Sequence, residues 1–232
     1  LSMAATAAGV TIYENSRVTE VTDGRTARVI TAAGSVTADY VVLAGNAYLG
    51  DLSKTLAAKI IPVDTCIIAT EPLGAARTKT LMMTDACVSD TNFNLDYFRM
   101  SADYRLLYGG RDKLISDGNV TGAALRRNML ATFPQLEDVK IDYAWGGKVA
   151  ITRNMLPDVG RRGNIYYAQG YSGQGVPLSA IVGRVIGEAI AGDAGRFDVF
   201  ARIPHKPFPG GTALRVPLLT LARLYYGLRD AL

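Results

Sequence analysis

The chain has 232 residues, enough to bury the core of one large domain or two small ones, and its 49% hydrophobic and 20% charged residues are ordinary globular values. A net charge of +4, spread without any run of basic residues, excludes the electrostatic footprint of a nucleic-acid binder and leaves a mild attraction for anionic ligands. Two separated cysteines, Cys66 and Cys87, with a single histidine exclude a disulfide scaffold and a Cys/His metal site; they read as reduced, buried thiols of a cytoplasmic protein.

The start, Leu1 to Gly9, is alanine-rich, lacks the basic leader of a signal peptide and reads as the last turns of a helix ending at Gly9. Such a beginning reads as part of a longer protein. Val10-Thr-Ile-Tyr13 and Arg17 to Val21 alternate like strands, Asp23-Gly24 is a tight turn, and Thr26 to Thr31 is the returning strand. After Gly34, the apolar run Tyr40-Val-Val-Leu-Ala44 has the pattern of a strand covered on both faces. It empties into Gly45-Asn46, and a short helical piece runs through Leu52 and Leu56.

Pro62 to Ala69 opens a second extended system, continued by Ala86 to Ser89, Leu95 to Met100 and Arg105 to Tyr108, the last two joined as a hairpin at Ser101-Ala-Asp103. Gly122 to Phe133 carries Ala123, Leu125, Met129, Leu130 and Phe133 at helical spacing, and Pro134 stops it. Val139 to Trp145 is strand-like until Gly146-Gly147 breaks it. The tail holds a proline-rich loop with His205, read as a surface residue because no Ser or Cys nucleophile motif accompanies it, and then the helix candidate Val216 to Tyr225. Ile181, Val185, Ala189, Leu218, Leu221 and Tyr225 are assigned to the core. Arg184, Glu188, Arg215 and Arg223 interrupt every stretch that approaches membrane-spanning length, so no membrane span is expected.

The densest feature is Asn164-Ile-Tyr-Tyr-Ala-Gln-Gly-Tyr-Ser-Gly-Gln-Gly175, a strand that runs into a glycine-rich turn and then a helix from Pro177 to Ala191. Gly170, Gly173 and Gly175 allow close backbone approach to a ligand, and the free amides of a helix start favour an anionic group. An ordinary tight strand-to-helix turn has the same composition. Val18 is equally readable as core, Asn46 as a turn former, and Ser172 and Gln174 as caps.

Taken in order, Tyr13 to Val21, Tyr40-Val-Val-Leu-Ala-Gly-Asn-Ala-Tyr48, Ile68-Ala-Thr-Glu-Pro-Leu73, Tyr97-Phe-Arg99, Arg105 to Gly110, Trp145-Gly-Gly147 and the Asn164 to Gly175 run resemble the C-terminal two-thirds of FAD-dependent amine and amino-acid oxidoreductases of the D-amino-acid oxidase and sarcosine oxidase superfamily. Within it the chain most resembles the γ-glutamylputrescine oxidase-like proteins. The resemblance implies an α/β (α+β) fold: an incomplete FAD-binding Rossmann-like domain with an inserted, mainly antiparallel substrate sheet. Residues 1–60 would be part of the FAD domain, 61–150 the substrate domain, and 151–232 the return to the FAD domain with a C-terminal helix.

The Gly-x-Gly-x-x-Gly element that opens such proteins is absent from these residues, so a preceding segment or a partner chain is expected to supply it. Carried over by residue, the resemblance implies that Val18 touches adenine through its backbone and that Ala44, Gly45 and Asn46 lie near ribose and pyrophosphate. Gly170, Tyr171, Ser172, Gly173, Gln174 and Gly175 would reach the flavin. Gln174 stands where relatives often carry His, which keeps a hydrogen-bonding group and removes a titratable one. Tyr97, Arg99, Lys148 and Tyr171 are candidates over the flavin face, with Arg99 suited to a carboxylate and Lys148 to assisting oxygen; Arg99 and Lys148 are equally readable as solvated strand residues. The implied function is oxidation of the C–N bond of a small-molecule amine, by hydride transfer to flavin N5 with dioxygen as acceptor. The alternative is a non-catalytic binding or assembly module of a flavoprotein.

Overall fold

The computed structural model describes residues 1–92, 95–110 and 122–230. Helix α1 (Ser2–Ala7) ends before Gly9, whose φ of +88° only glycine adopts readily. Val10 to Tyr13, expected as a strand, is irregular and exposed, because no strand among the described residues offers it a ladder. Strands β1 (Val18–Thr22), β2 (Ala27–Thr31) and β3 (Gly34–Ala38) form an antiparallel meander, with a bulge between Val18 and Glu20.

Strand β4 (Val41–Leu43) belongs to another sheet. Two 3-10 turns and helix α2 (Lys54–Ala57), capped by the Ser53 hydroxyl, lead into the long strand β5 (Ile60–Thr70). Helix α3 (Gly74–Leu81) is followed by β6 (Val88–Ser89), β7 (Tyr97–Met100) and β8 (Leu106–Gly110), then α4 (Ala123–Thr132) and β9 (Ile141–Thr152). Strands β10 (Asp158–Arg162) and β11 (Ile165–Gln169), then α5 (Gly175–Ile190), α6 (Gly195–Ala201) and α7 (Gly211–Asp230), complete the described elements.

The larger sheet has the order β6-β7-β8-β5-β9 and is antiparallel throughout. Among the described residues only β9 is paired with Pro62 of β5, and β8 pairs with β5 from Cys66 to Ala69. Gly146-Gly147 does not break β9 as expected, since their partners Cys66 and Thr65 on β5 hold the ladder through them. Tertiary pairing here outweighs local strand preference.

One face of this sheet packs Cys66, Ile68, Leu106 and Tyr108 against Leu125 and Met129 of α4. Ala123, assigned to that face, is exposed, because it sits at the first position of the helix.

The smaller sheet has the order β10-β11-β4, with β11 parallel to β4. Its Val159, Tyr166 and Ala168 pack on Val182, Val185 and Ile186 of α5 and on Phe197. Ile181, Leu221 and Tyr225 were expected in the core but are exposed: α5 and α7 are apolar on more than the one side that the chain covers. Cys66 is buried as expected, whereas Cys87 is exposed beside the two-residue strand β6.

Candidate functional site

Parallel pairing of β4 and β11, with Val41 opposite Ile165 and Leu43 opposite Tyr167, brings the carboxyl ends of both strands to one edge. In open α/β sheets that edge is where ligands bind. From β4 the chain passes through Ala44 and Gly45 to Asn46, which takes a left-handed φ of +47° and accepts a hydrogen bond on Oδ1 from the Gly170 amide at 2.9 Å. The turn after β4 is thereby tied to the turn after β11.

The second turn is held from below. The Ser172 amide donates to the Ala150 carbonyl at 2.9 Å, and the Thr152 amide donates to Ser172 Oγ at 3.3 Å. Gly170, Ser172 and Gly173 all have positive φ. The three glycines of this turn differ in what demands them. A Cβ on Gly170 would lie 2.3 Å from Thr152 Cγ2, so packing requires glycine there.

Gly173, at φ +92°, has nothing within 4 Å of an added Cβ, and Gly175, of ordinary φ, meets only Tyr171 at 3.9 Å. Nothing in the protein's own packing demands a bare backbone at Gly175, as close approach of a ligand would. Among the described residues, no acceptor takes the amides of Gly173, Gly175 or Val176, and Gln174 caps the start of the 16-residue α5 without a side-chain bond. Among the described residues, three amide donors and the positive end of a helix are thereby left without acceptors at this turn.

Tyr171 turns away from this cradle. Its ring is buried with Val182 and Val185, and that burial pushes its phenol above the usual tyrosine range. Only its backbone can serve the turn, while the Gln174 side chain is exposed. Val18 opens β1 at the bulge, half-buried in the meander, which lies against β4 through β2.

Under the turn sits a polar cluster that sequence patterns do not reveal. Lys59 Nζ lies 3.2 Å from Oδ1 of the buried Asp158, and Gln169 Nε2 donates to Asp158 Oδ2 and to the Leu56 carbonyl, both at 3.0 Å. Gln169 immediately precedes Gly170, so this cluster anchors the strand end from which the turn departs. His205, expected on the surface, is packed beside it with Nε2 enclosed and unpartnered. Burial lowers the affinity of its imidazole for a proton; Asp158 opposes that effect and Lys59 adds to it.

The second half of the site is the face of the large sheet that α4 does not cover. Cross-strand partners share a face, so the row Tyr97–Gly109–Ile67–Trp145 and the row Arg99–Leu107–Ala69–Tyr143 lie together on it. The Tyr97 ring crosses Gly109, where an added Cβ would lie 2.1 Å from its Cε2, and its hydroxyl is 3.3 Å from Thr65 Oγ1.

Arg99 donates from Nε to the Met100 carbonyl and has no carboxylate partner among the described residues. By contrast, Arg105 is paired with Asp103 at 2.8 Å and Asp142 at 2.5 Å, and it lies over the Tyr143 ring. Lys148 does not join Tyr97 and Arg99. It is opposite Asp64, on the other pleat face, with Nζ 2.6 Å from Asp64 Oδ1 and its amide donating to the Tyr48 phenol oxygen.

Sequence reasoning missed Tyr143 and Trp145 as members of the open face; once the β5–β9 register is known, their odd numbering places them there. Thr65 is five residues along β5 from Ile60, which touches Gly170, a span of roughly 17 Å at strand rise. A backbone cradle thus lies at the Ile60 end of β5, against Ile60 and Thr152, and an aromatic face bearing Arg99 lies farther along the sheet on the opposite pleat face. Glycines that packing does not require, next to unclaimed amides, fit a large planar group bearing hydrogen-bond acceptors. Among the described residues, no cluster of His, Cys, Asp or Glu could hold a metal ion.

Residues 1–189 match the family described as DAO, FAD dependent oxidoreductase. The chain is similar to gamma-glutamylputrescine oxidoreductase of Escherichia coli strain K12, 47% identical over 234 residues that cover 97% of this chain and 53% of that protein. It is also similar to the probable oxidoreductase OrdL of Haemophilus influenzae, 40% identical over 96% of this chain and 52% of that protein. The chain therefore spans about half the length of the curated relatives it matches. Among solved structures, glycine oxidase from Geobacillus kaustophilus superposes with a TM-score of 0.70 at 22% identity, over 88% of this chain and 56% of that one.

Proposed function

The chain belongs to the FAD-dependent oxidoreductase family, and from that premise we propose that it forms part of a flavoenzyme that oxidises the C–N bond of an amine carrying a distant carboxylate, as in γ-glutamylputrescine. The observation that carries this reading is the combination of an amide cradle after β11 with an open sheet face that bears an arginine free of carboxylates among the described residues. Identity of 47% to gamma-glutamylputrescine oxidoreductase supports the substrate class. In this reading residues 1–60 and 151–232 belong to the cofactor side and residues 61–150 to the substrate side.

The residues present fit FAD. Asn46 and Gly170 to Gly175 would hold it, with Ala44, Gly45 and the backbone of Val18 toward its adenosine side. When bound, FAD supplies a two-electron acceptor at N5 for the hydride of the carbon beside the amine, and dioxygen regenerates it. The chain's own contributions are electrostatic and positional. Amides of Gly173, Gly175 and Val176 at the start of α5 stabilise negative charge in the crevice without reorganising. Arg99 takes the substrate carboxylate as a charge-assisted pair and lowers the proton affinity of a nearby amine, favouring its neutral form.

Tyr97 and Trp145 give the alkyl chain apolar walls. Gln174 positions by hydrogen bonding only, since it has no proton to exchange near neutral pH. Lys148 is tied to Asp64 on the far pleat face, which leaves oxygen activation to the cradle rather than to that lysine.

The reading is tested by adding γ-glutamylputrescine to FAD-loaded protein and following peroxide and aldehyde together, with glycine as comparator. One equivalent of each product per amine consumed, and a much slower reaction with glycine, is the expected result. Peroxide from glycine at an equal rate, or none from either, would overturn it.

A further inference from the structure

Hydrogen bonding over the open sheet face determines which way Tyr97 can bond. Thr65 Oγ1 lies 3.1 Å from the Gly110 carbonyl oxygen and 3.3 Å from the Tyr97 hydroxyl. A carbonyl only accepts, so the single Thr65 proton goes to Gly110, and both bonds form together only when Tyr97 donates to Thr65. The ring is held for this bond by its bed on Gly109, which leaves no room for a Cβ. What remains of the Tyr97 hydroxyl toward the face is lone pairs.

We propose that Thr65 is a positioning residue that, by taking the Tyr97 proton, makes this face an acceptor for the N–H of an alkylamine and leaves carboxylate recognition to Arg99. This inference rests on the amine reading above and names the atom that receives the amine. A phenol with its proton free would serve a carboxylate or an alcohol equally well, and selectivity for the amine end would be lost. The same assignment keeps the carboxylate of the substrate at Arg99, two residues along β7 on the same face.

Trp145 is the sole tryptophan of the chain and stands opposite Ile67, next to Thr65 on that face, so its fluorescence reports occupancy directly. The full-length protein is titrated with n-butylammonium chloride and, separately, with sodium butyrate, following Trp145 emission and the heat of binding. All titrations are made with Arg99, the carboxylate partner on the same face, replaced by alanine; with Thr65 and Tyr97 intact, that protein is expected to prefer butylammonium. Thr65→Val should weaken butylammonium by roughly tenfold and strengthen butyrate, because the freed phenol proton can then donate. Thr65→Ser should restore that preference, which a merely structural role of the threonine methyl group would not do.

Tyr97→Phe removes the same oxygen without touching β5 and should abolish the preference, so it decides the matter even if Thr65→Val fails to fold. In the Arg99→Ala background, no preference for butylammonium with Thr65 and Tyr97 intact, a Tyr97→Phe variant that keeps the preference, or a Thr65→Ser variant that loses it would overturn the proposal. No flavin turnover enters these titrations. Selective butylammonium binding by a protein that oxidises no amine would sink the functional reading alone, and amine oxidation with the preference unchanged in Tyr97→Phe would sink this inference alone.

Discussion

The crevice after β11 and the open face of the large sheet are built from different parts of the amino acid. The crevice offers backbone: three amides unclaimed among the described residues, glycines at Gly173 and Gly175 that no described contact demands, and an aromatic ring, Tyr171, directed inward. The sheet face offers side chains, Tyr97, Arg99, Tyr143 and Trp145, whose placement depends entirely on strand register. A backbone cradle is tuned by φ and by what lies beneath it, whereas a side-chain face is tuned by pleat parity. Substitutions should therefore damage the two regions in different ways.

The largest expected effect lies beneath the crevice. Asp158→Ala leaves the Lys59 ammonium enclosed without its partner and should cost about 3–5 kcal/mol, seen as a lowered midpoint in urea. If the cost instead matches that of a surface pair, the crevice is not anchored by this cluster. Next come the glycines. Gly170→Ala forces a Cβ against Thr152 at positive φ and should cost roughly 2–4 kcal/mol, lowering Tm by several degrees. Gly173→Ala, strained only by its φ, should cost about 1 kcal/mol while weakening FAD binding, and the separation of stability from affinity sharpens the contrast.

On the sheet, Arg99→Ala should leave Tm unchanged and raise KM for a carboxylate-bearing amine by roughly 10- to 100-fold at a similar kcat. Lys148→Ala, which breaks only a half-exposed pair with Asp64, should change stability by about 0–1 kcal/mol and leave KM alone. Equal effects of the two on KM would contradict the parity argument. The smallest effect is one of pH. The His205 imidazole binds its proton less readily in the fold than the free side chain does, so the unfolded chain takes up more protons. Stability should be full above the unfolded value of about 6.5 and decline as pH falls through it toward the lower folded value. A Tm series from pH 7.5 to 5 should slope for wild type and flatten in His205→Gln.

These contrasts also explain what could be read from sequence. The glycine turn was legible because φ demands leave a compositional trace: Gly170, Gly173 and Asn46 sit where the backbone is left-handed. The strand Val41–Leu43 and the hairpin at Ser101–Asp103 were legible from an apolar run and turn residues, but the run has the pattern of a strand covered on both faces, whereas Tyr40 and Val42 are exposed on the face that no described element covers. Lys148 was grouped with Tyr97 and Arg99 because the β5–β9 register, which puts it on the other face, has no local signal. Gly146-Gly147 read as a break for the same reason, since the ladder that holds it comes from β5. The Lys59–Asp158 pair joins residues 99 positions apart and follows no motif. Ile181, Leu221 and Tyr225 have helical apolar spacing, but spacing cannot tell which apolar side a neighbouring element covers.

The two regions meet in one observable, the visible absorbance of the protein supplied with FAD and then mixed anaerobically with γ-glutamylputrescine. Uptake of the flavin tests the backbone cradle, and bleaching by the amine tests the sheet face. The account predicts a yellow protein whose absorbance near the flavin maximum disappears on adding the amine at a concentration near the wild-type KM, with much slower bleaching in Arg99→Ala at that same concentration. Bound flavin that stays oxidised in the presence of the amine, or bleaching at the wild-type rate in Arg99→Ala, would contradict it.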